Sequence, residues 1–540
     1  MSAYVKQNER TILFQNDHFE IISIEWNGAT GSAMHDHSGS QCFVLIQEGV
    51  FENVMDLGIK KEIRRLEPGQ VLSTPVGARH ALVCTSKTGK TLHIYCPKIK
   101  SDVSPDMFRI QDEESFSSAI QLKKGNLRID ELETLLVHFK NHSVRTDSPY
   151  FMNQLFSGIL PQMLIGEQFI AQTKTTMATH EASPILSEIE AEVIRSLNEL
   201  VGWKADAMCG ISVPGGSAAN FMAIHCARQK LMPQIKTKGM TGQCFKVFVS
   251  EEAHYSFQKA CVVLGIGSDN LISVPVDKKG QMNVELLQVH IQNCRQEGHI
   301  PLAVVATAGT TVLGAFDDIR KISQVCQSND VWLHIDAAWG GPVLFSKKWR
   351  SLMEGVELAD SLTFDAHKLL GASLTNSFFL TPHRDILLKA NDVSGGDYLF
   401  HRENGVDRGK LSWQCGRKAE AVSFWTLWKN VGTQGFGDFV ERMMDLRGQI
   451  VDWIQTQPRL QLVAEPDYLN ICVRVLPPAS RRDPDWSRKV RDSLKENNLA
   501  LVNYSKNNEG SFLRLILANP HLQVSHILQI LKWSMEVSGK

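Results

Sequence analysis

An amine and a carboxylate, each at the end of an apolar run, carry the first chemistry in this sequence. Lys368 closes the tetrapeptide Asp365-Ala366-His367-Lys368 behind the run from Ser361 to Phe364, and Asp336 follows the run that ends at Ile335. A lysine condenses with an aldehyde, and a carboxylate holds a pyridine nitrogen protonated. Those are the two groups that turn pyridoxal 5'-phosphate (PLP) into an electron sink, so the pair points to that cofactor. Gly215, Gly216 and Ser217 add a third element, because they lead into a helical pattern marked by Phe221, Ile224 and Leu231. A glycine-rich turn opening a helix presents N–H groups and a positive dipole end to a phosphate.

A second constellation lies near the start. His35 and His37 precede Cys42 and a turn at Gly49, and a later block runs Gly69, Pro75, Gly77, His80. Residues two apart on a strand face the same side, and a third histidine can reach them from a neighbouring strand. Three neutral imidazoles with open coordination positions suit Fe(2+), among other metals.

The elements that must position these groups follow from the rest of the chain. Its 540 residues are enough for more than one domain, and its net charge of -1 gives no electrostatic footprint for nucleic acid or an anionic membrane. Small molecules are the expected partners. The opening residues lack an apolar signal core and no stretch reads as a membrane span, so a cytoplasmic location is expected. Eleven cysteines without a regular framework fit reduced thiols. Residues 1–100 read as short strands with Gly and Pro turns, and 101–125 as a polar linker. From 126 to 434, the apolar runs 244–249, 302–306, 331–335 and 361–364 alternate with helical patterns such as Ile319, Ile322 and Cys326. That alternation predicts βαβ units and a mostly parallel sheet covered on both faces. Residues 435–540 read as a smaller α+β domain.

The N-terminal histidine blocks resemble the cupin pattern. Where many cupins carry a glutamate ligand, Cys42 stands here, which makes the module similar to cysteine dioxygenase. That resemblance implies an all-β cupin barrel holding Fe(2+) through His35, His37 and His80, with a thioether between Cys42 and Tyr95. Thr91, His93 and Tyr95 match the family's hydroxyl, histidine and tyrosine, and Arg10 is implied as the bidentate partner of the substrate carboxylate. Asn8 departs from the family's tyrosine at that place.

Downstream, five segments stand in the order of the group II PLP-dependent decarboxylases: Gly210 to Asn220, Ser250 to Ser256, Ala306 to Asp317, His334 to Trp339, and Asp365 to Lys368. The resemblance runs from about residue 125 to the end. It implies an α/β PLP fold of type I (aspartate aminotransferase-like) and a homodimer with the PLP site at the interface. It also implies His254 stacked on the cofactor ring, Asp336 at the pyridinium, Ala338 on the opposite ring face and Lys368 as the covalent partner. Gly216, Ser217, Ser361 and His367 are implied at the phosphate. Segments 151–155, 397–400, 414–417 and 512–520 are similar to glutamate and cysteine sulfinate decarboxylases, with Arg514 and Gln154 implied at the substrate's second acid group. The loop from His401 to Trp413 has no tyrosine, where the family often has one that supplies a proton. His401, another residue or water would then supply it, or the reaction would turn to aldehyde formation.

Taken together, the two resemblances imply one chain that oxidises cysteine with dioxygen to cysteine sulfinate and decarboxylates that product to hypotaurine, towards taurine. The alternatives are a glutamate- or aspartate-type decarboxylase whose cupin is a non-catalytic, metal-binding regulator, and a PLP-dependent aldehyde-forming enzyme.

Overall fold

Period-two burial decides the architecture of both units into which the chain divides, residues 1–106 and 107–540. The computed structural model describes residues 9–15, 20–27, 41–56, 61–74, 79–96, 120–122, 126–158, 160–204, 209–401, 407–478 and 482–537. In the first unit Ile22, Ile24 and Trp26 are buried, as are Cys42, Val44 and Ile46, while the intervening Glu25, Phe43 and Gln47 are exposed. That alternation belongs to strands covered on one face. Five strands form one sheet in the spatial order Glu9–Gln15, Glu20–Asn27, Thr88–Cys96, Gln41–Glu48 and Val71–Thr74, and Lys61–Leu66, Phe51–Asp56 and Arg79–Cys84 form a second. Every pairing between them is antiparallel. The two sheets share an apolar core in which Trp26 meets Phe51 edge-on, ring centroids 5.5 Å apart. Gly49 turns the chain between them at φ +85°, where a side chain would strike the Thr88 carbonyl oxygen at 2.6 Å.

In the second unit the strands are buried on both faces. Val247 and Val249 enter one core while Phe248 enters another, and Ala303 and Val305 part in the same way from Val304 and Ala306. A sheet whose alternate residues feed two cores is covered by helices on either side. It has seven strands, in the order Cys209–Pro214, Asn376–Thr381, Ser361–Asp365, Trp332–Ala337, Ile300–Thr307, Phe245–Ser250 and Leu271–Val274. The last five pair in parallel, and Asn376–Thr381 runs antiparallel to both neighbours. Each of the four apolar runs is a strand, and Ile319, Ile322 and Cys326 are the buried face of the helix Ile319–Asn329, whose first turn is capped by the Asp318 side chain.

The C-terminal sheet draws one strand from outside residues 435–540. Its strands Leu460–Leu462, Asn470–Val475, Gly510–Ile516 and Leu501–Asn507 are completed by Phe151–Met152, which pairs in parallel with the last of them. A two-residue strand has no period to read, so composition could not place it. Among the described residues, no helix is long and apolar enough to cross a membrane.

A buried ion pair ties the sheet to the segment behind the tyrosine-free loop. Glu190, fully buried on the helix Pro184–Val201, accepts from Arg417 Nη1 and Nη2 at 2.9 and 3.1 Å and from the Ser212 amide at 2.8 Å, with Arg408 Nε at 3.3 Å. Burial pushes the Glu190 carboxyl up, but Arg417 and Arg408 pull it down further, to about 2. Removing the carboxylate strands a buried guanidinium, so Glu190→Ala should cost about 3–5 kcal/mol in a denaturant melt. Because its folded pKa is depressed, the contribution of Glu190 is present above the ordinary carboxylate range and is lost as pH falls towards about 2. Glu190→Gln should therefore lower stability at neutral pH and flatten the acid limb of the stability–pH curve.

Candidate active site

The carboxyl ends of the central strands gather the groups that the sequence singles out. Asp336 lies near the end of Trp332–Ala337, buried, with Oδ2 accepting from Asn220 Nδ2 at 2.8 Å and Oδ1 from the Ala338 amide at 3.1 Å. One donor on each oxygen leaves acceptor capacity for a further N–H. Lys368, just past the neighbouring strand, sets Nζ 3.1 Å from Asp365 Oδ2. His254 follows the strand Phe245–Ser250 and accepts at Nδ1 from the Ser256 amide. Burial lowers its pKa. Asp336 opposes that shift, Lys368 adds to it, and Asp365 opposes it again, so three of the site's charges act on one imidazole. Ala338 is buried beside Asp336.

The helix Gly216–Leu231 points its first turn at the same place. Gly215 precedes it at φ +100°, and a Cβ on Gly216 would lie 2.7 Å from Asp365 Oδ2. Only glycine permits that approach. Asp365 is itself buried, and its Oδ1 has no hydrogen-bond partner among the described residues. Ser217 is exposed on that first turn. His367 is buried and bonds the Asn376 carbonyl through Nδ1 at 2.9 Å, so that nitrogen carries the proton and Nε2 is left to face the site. An amine, a buried carboxylate with acceptor capacity to spare and a glycine turn at a helix N-terminus fit the aldehyde, ring nitrogen and phosphate of PLP.

Ser361 is not with them. It opens its strand at the amino end, where its hydroxyl bonds His334 Nδ1 at 2.8 Å and accepts from Trp332 Nε1 at 2.9 Å. The expected place at the phosphate gives way to a role beneath Asp336. Burial pushes the His334 imidazole down to about 3, so the ring is neutral. Its Nε2 meets Asn220 Oδ1 at 3.1 Å, which also accepts from Thr363 at 2.7 Å, while Asn220 Nδ2 donates to Asp336. A directed relay therefore runs from Trp332 through Ser361, His334 and Asn220 to the carboxylate, fixing the tautomer of the ring and the flip of the amide. Asn220 and Asp365 stand inside the motifs quoted from the sequence, but nothing in the motifs announces their partners. Position in a glycine-led helix was the one signal for Asn220.

Arg514 lies on the strand Gly510–Ile516 of the C-terminal sheet. Its guanidinium is buried and donates to two backbone carbonyls, Thr311 at 2.8 Å and Asn153 at 3.1 Å, with Nε unsatisfied. Among the described residues no carboxylate pairs with it, and burial lowers its pKa. The Asn153 contact sets the exposed Gln154 next to it in the chain. His401 is exposed, 3.6 Å from Glu181.

In the N-terminal unit, Cys42 and Tyr95 are direct cross-strand partners between Gln41–Glu48 and Thr88–Cys96. Cys42 Sγ lies 4.0 Å from His93 Nδ1, His93 Nε2 bonds Thr91 Oγ1 at 2.9 Å, and Trp26 Nε1 donates to Thr91 at 2.8 Å. His35 and His37 lie outside the described residues. So do the side chains of Arg10, His80 and Tyr95, whose backbones fall in strands. Among the described residues no group of three potential metal ligands forms.

The pyridoxal-dependent decarboxylase conserved domain matches residues 118–476. Cysteine sulfinic acid decarboxylase of Homo sapiens is 38% identical over 397 residues, covering 71% of this chain and 80% of that protein. Acidic amino acid decarboxylase GADL1 of Mus musculus is 36% identical over 403 residues, 72% of each. The crystal structure of mouse CSAD in apo form superposes with a TM-score of 0.75 at 30% identity, covering 80% of this chain and 93% of that one.

Two substitutions test the site. Lys368→Ala should abolish the visible absorbance of protein-bound cofactor. Asn220→Ala removes a hydrogen bond to a buried charge and should weaken cofactor retention by about tenfold or more, measured by the loss of that absorbance on dilution.

Proposed function

Because the chain belongs to the pyridoxal-dependent decarboxylase family, we propose that its larger unit removes the α-carboxylate of an amino acid whose side chain ends in a second acid group, with cysteine sulfinate the substrate. The observation that carries this reading is Arg514, a buried guanidinium that meets carbonyl oxygens but no carboxylate among the described residues. A buried cation is stabilised by an anion, and a guanidinium takes a carboxylate or sulfinate through two oxygens. The named relatives act on acids of that kind, at 38% and 36% identity.

Bound PLP supplies the sink for the electron pair released as carbon dioxide departs. The chain's own residues do the rest. Lys368 provides the amine that takes the aldehyde, and Asp336, held by Asn220 and the Ala338 amide, keeps a proton at the ring nitrogen. His254 and Ala338 would hold the ring between them, and the first turn of Gly216–Leu231 with His367 would hold the phosphate. Arg514 fixes the far end of the substrate, so that rotation is limited to the bonds near Cα. One proton is taken up at Cα for each carbon dioxide released.

The N-terminal unit is proposed to make the substrate. Cysteine and dioxygen give cysteine sulfinate, both oxygen atoms passing to sulfur, with Fe(2+) held by His35, His37 and His80 and the cysteine carboxylate by Arg10. The supporting observation is the register that sets Cys42 opposite Tyr95, beside the chain from His93 to Thr91 and Trp26. The same proposal includes a cytoplasmic homodimer. Leu132, Leu136 and Val137 are exposed on the helix Ile129–His142, which buries none of its residues within one chain.

Arg514→Leu should raise KM for cysteine sulfinate by about a hundredfold or more while the cofactor absorbance stays intact. An unchanged KM would remove the acid-binding role. Iron-loaded protein given cysteine and dioxygen should form hypotaurine, identified by mass spectrometry. Decarboxylation of added sulfinate without oxidation of cysteine would reduce the N-terminal unit to a regulator, and sulfinoacetaldehyde with ammonia would replace the decarboxylase reading by an aldehyde-forming one.

A further inference from the structure

Asn470 is a buried amide that joins the two arms of the site. It lies on the strand Asn470–Val475, 1% exposed, two residues from Cys472, which is the cross-strand partner of Arg514. Residues two apart on a strand share a face, so Asn470, Cys472 and Arg514 point the same way. Asn470 Oδ1 accepts from Trp339 Nε1 at 2.6 Å, and Trp339 follows Asp336 and Ala338 in the chain. Its Nδ2 reaches the carbonyls of Thr311 and Val312, each at 3.0 Å, and that of Thr310 at 3.5 Å. Thr311 is also the residue whose carbonyl receives Arg514 Nη1 at 2.8 Å. The same loop is pressed onto Asn470 from the other side, because a Cβ on Gly314 would meet Asn470 Oδ1 at 2.9 Å, and Cys472 Sγ donates to Val312 O at 3.2 Å.

We propose that Asn470 is a positioning residue that sets Arg514 relative to the cofactor strand, by holding the 310–312 carbonyls on one side and the Trp339 indole on the other. The proposal rests on Arg514 being the acid-binding group. One amide cannot flip here without losing every bond, since its oxygen faces a donor and its nitrogen faces acceptors. Trp339 is held in turn by Tyr468, edge-on at 5.4 Å. The Trp339 indole and the Thr311 carbonyl that receives Arg514 are thereby held by one asparagine side chain. A substrate one methylene longer or shorter meets the same frame, so Asn470 contributes to chain-length selection as well as to affinity.

The experiment uses PLP-loaded full-length protein and the visible absorbance of its cofactor, titrated with cysteine sulfinate, aspartate and glutamate, together with kcat and KM. Asn470→Ala deletes both sides of the joint, and Trp339→Phe keeps the ring packing while removing the donor to Oδ1. For Asn470→Ala we expect KM and the titrated Kd for cysteine sulfinate to rise about tenfold, as for loss of a hydrogen bond that orders a charged partner, and the preference over glutamate to narrow. The cofactor absorbance should stay that of wild type and kcat should change by no more than about twofold. Trp339→Phe should move KM in the same direction by less. Unchanged KM and selectivity in a folded Asn470→Ala protein overturn the proposal. If that variant does not fold, an unchanged KM in Trp339→Phe does so. A wild-type protein whose cofactor responds to none of the three acids overturns the acid-substrate reading itself, and this inference with it.

Discussion

A carboxylate held by two donors inside the protein governs the larger unit. Asp336 takes Asn220 on one oxygen and the Ala338 amide on the other, and behind Asn220 the chain of bonds continues through His334 and Ser361 to Trp332. Buried ionised groups persist only when their hydrogen-bonding capacity is met, and here it is met from one side alone. The remaining capacity faces the groups around Lys368 and His254. A strand that presents a charge at its carboxyl end therefore needs a helix that supplies an amide, and Gly216–Leu231 does this while aiming its own N-terminus at the same pocket.

The parallel sheet makes that convergence possible. Five parallel strands put all their carboxyl ends on one edge, and cores on both faces hold them there. The C-terminal sheet carries Arg514, which is desolvated and, among the described residues, meets backbone carbonyls but no carboxylate, an arrangement that favours a ligand carrying negative charge. On the proposed reading, the substrate class depends on how the C-terminal sheet is set against the strand ends of the larger one, and Asn470 bonds both the Trp339 indole and the carbonyls of Thr311 and Val312.

Much of this was legible in the sequence because the informative groups sit at the ends of apolar runs. Lys368 and Asp336 could be read as a pair from the chemistry of the two side chains, and Gly216 from its place before a helical pattern. The partners of those groups were not legible. Asn220 is 116 residues from Asp336, and Asn470 is 160 from Thr310, so no local period connects them. Ser361 was misplaced because a strand's first residue and its last look alike in composition, whereas its hydroxyl proved to lie under the site. The edge strand Phe151–Met152 was invisible for want of length. In the N-terminal unit the turn at Gly49 and the alternation around Cys42 were both read correctly as strands and turn, since burial on one face imposes the period directly.

The central claim is that Arg514 selects an amino acid with an acidic side chain. The most direct test is competition: PLP-loaded protein incubated with an equimolar mixture of cysteine sulfinate, glutamate, aspartate, tyrosine and tryptophan, with each amine product quantified over the first turnovers. Hypotaurine should dominate and the aromatic amines should be absent. Preferential formation of an aromatic amine would contradict the account.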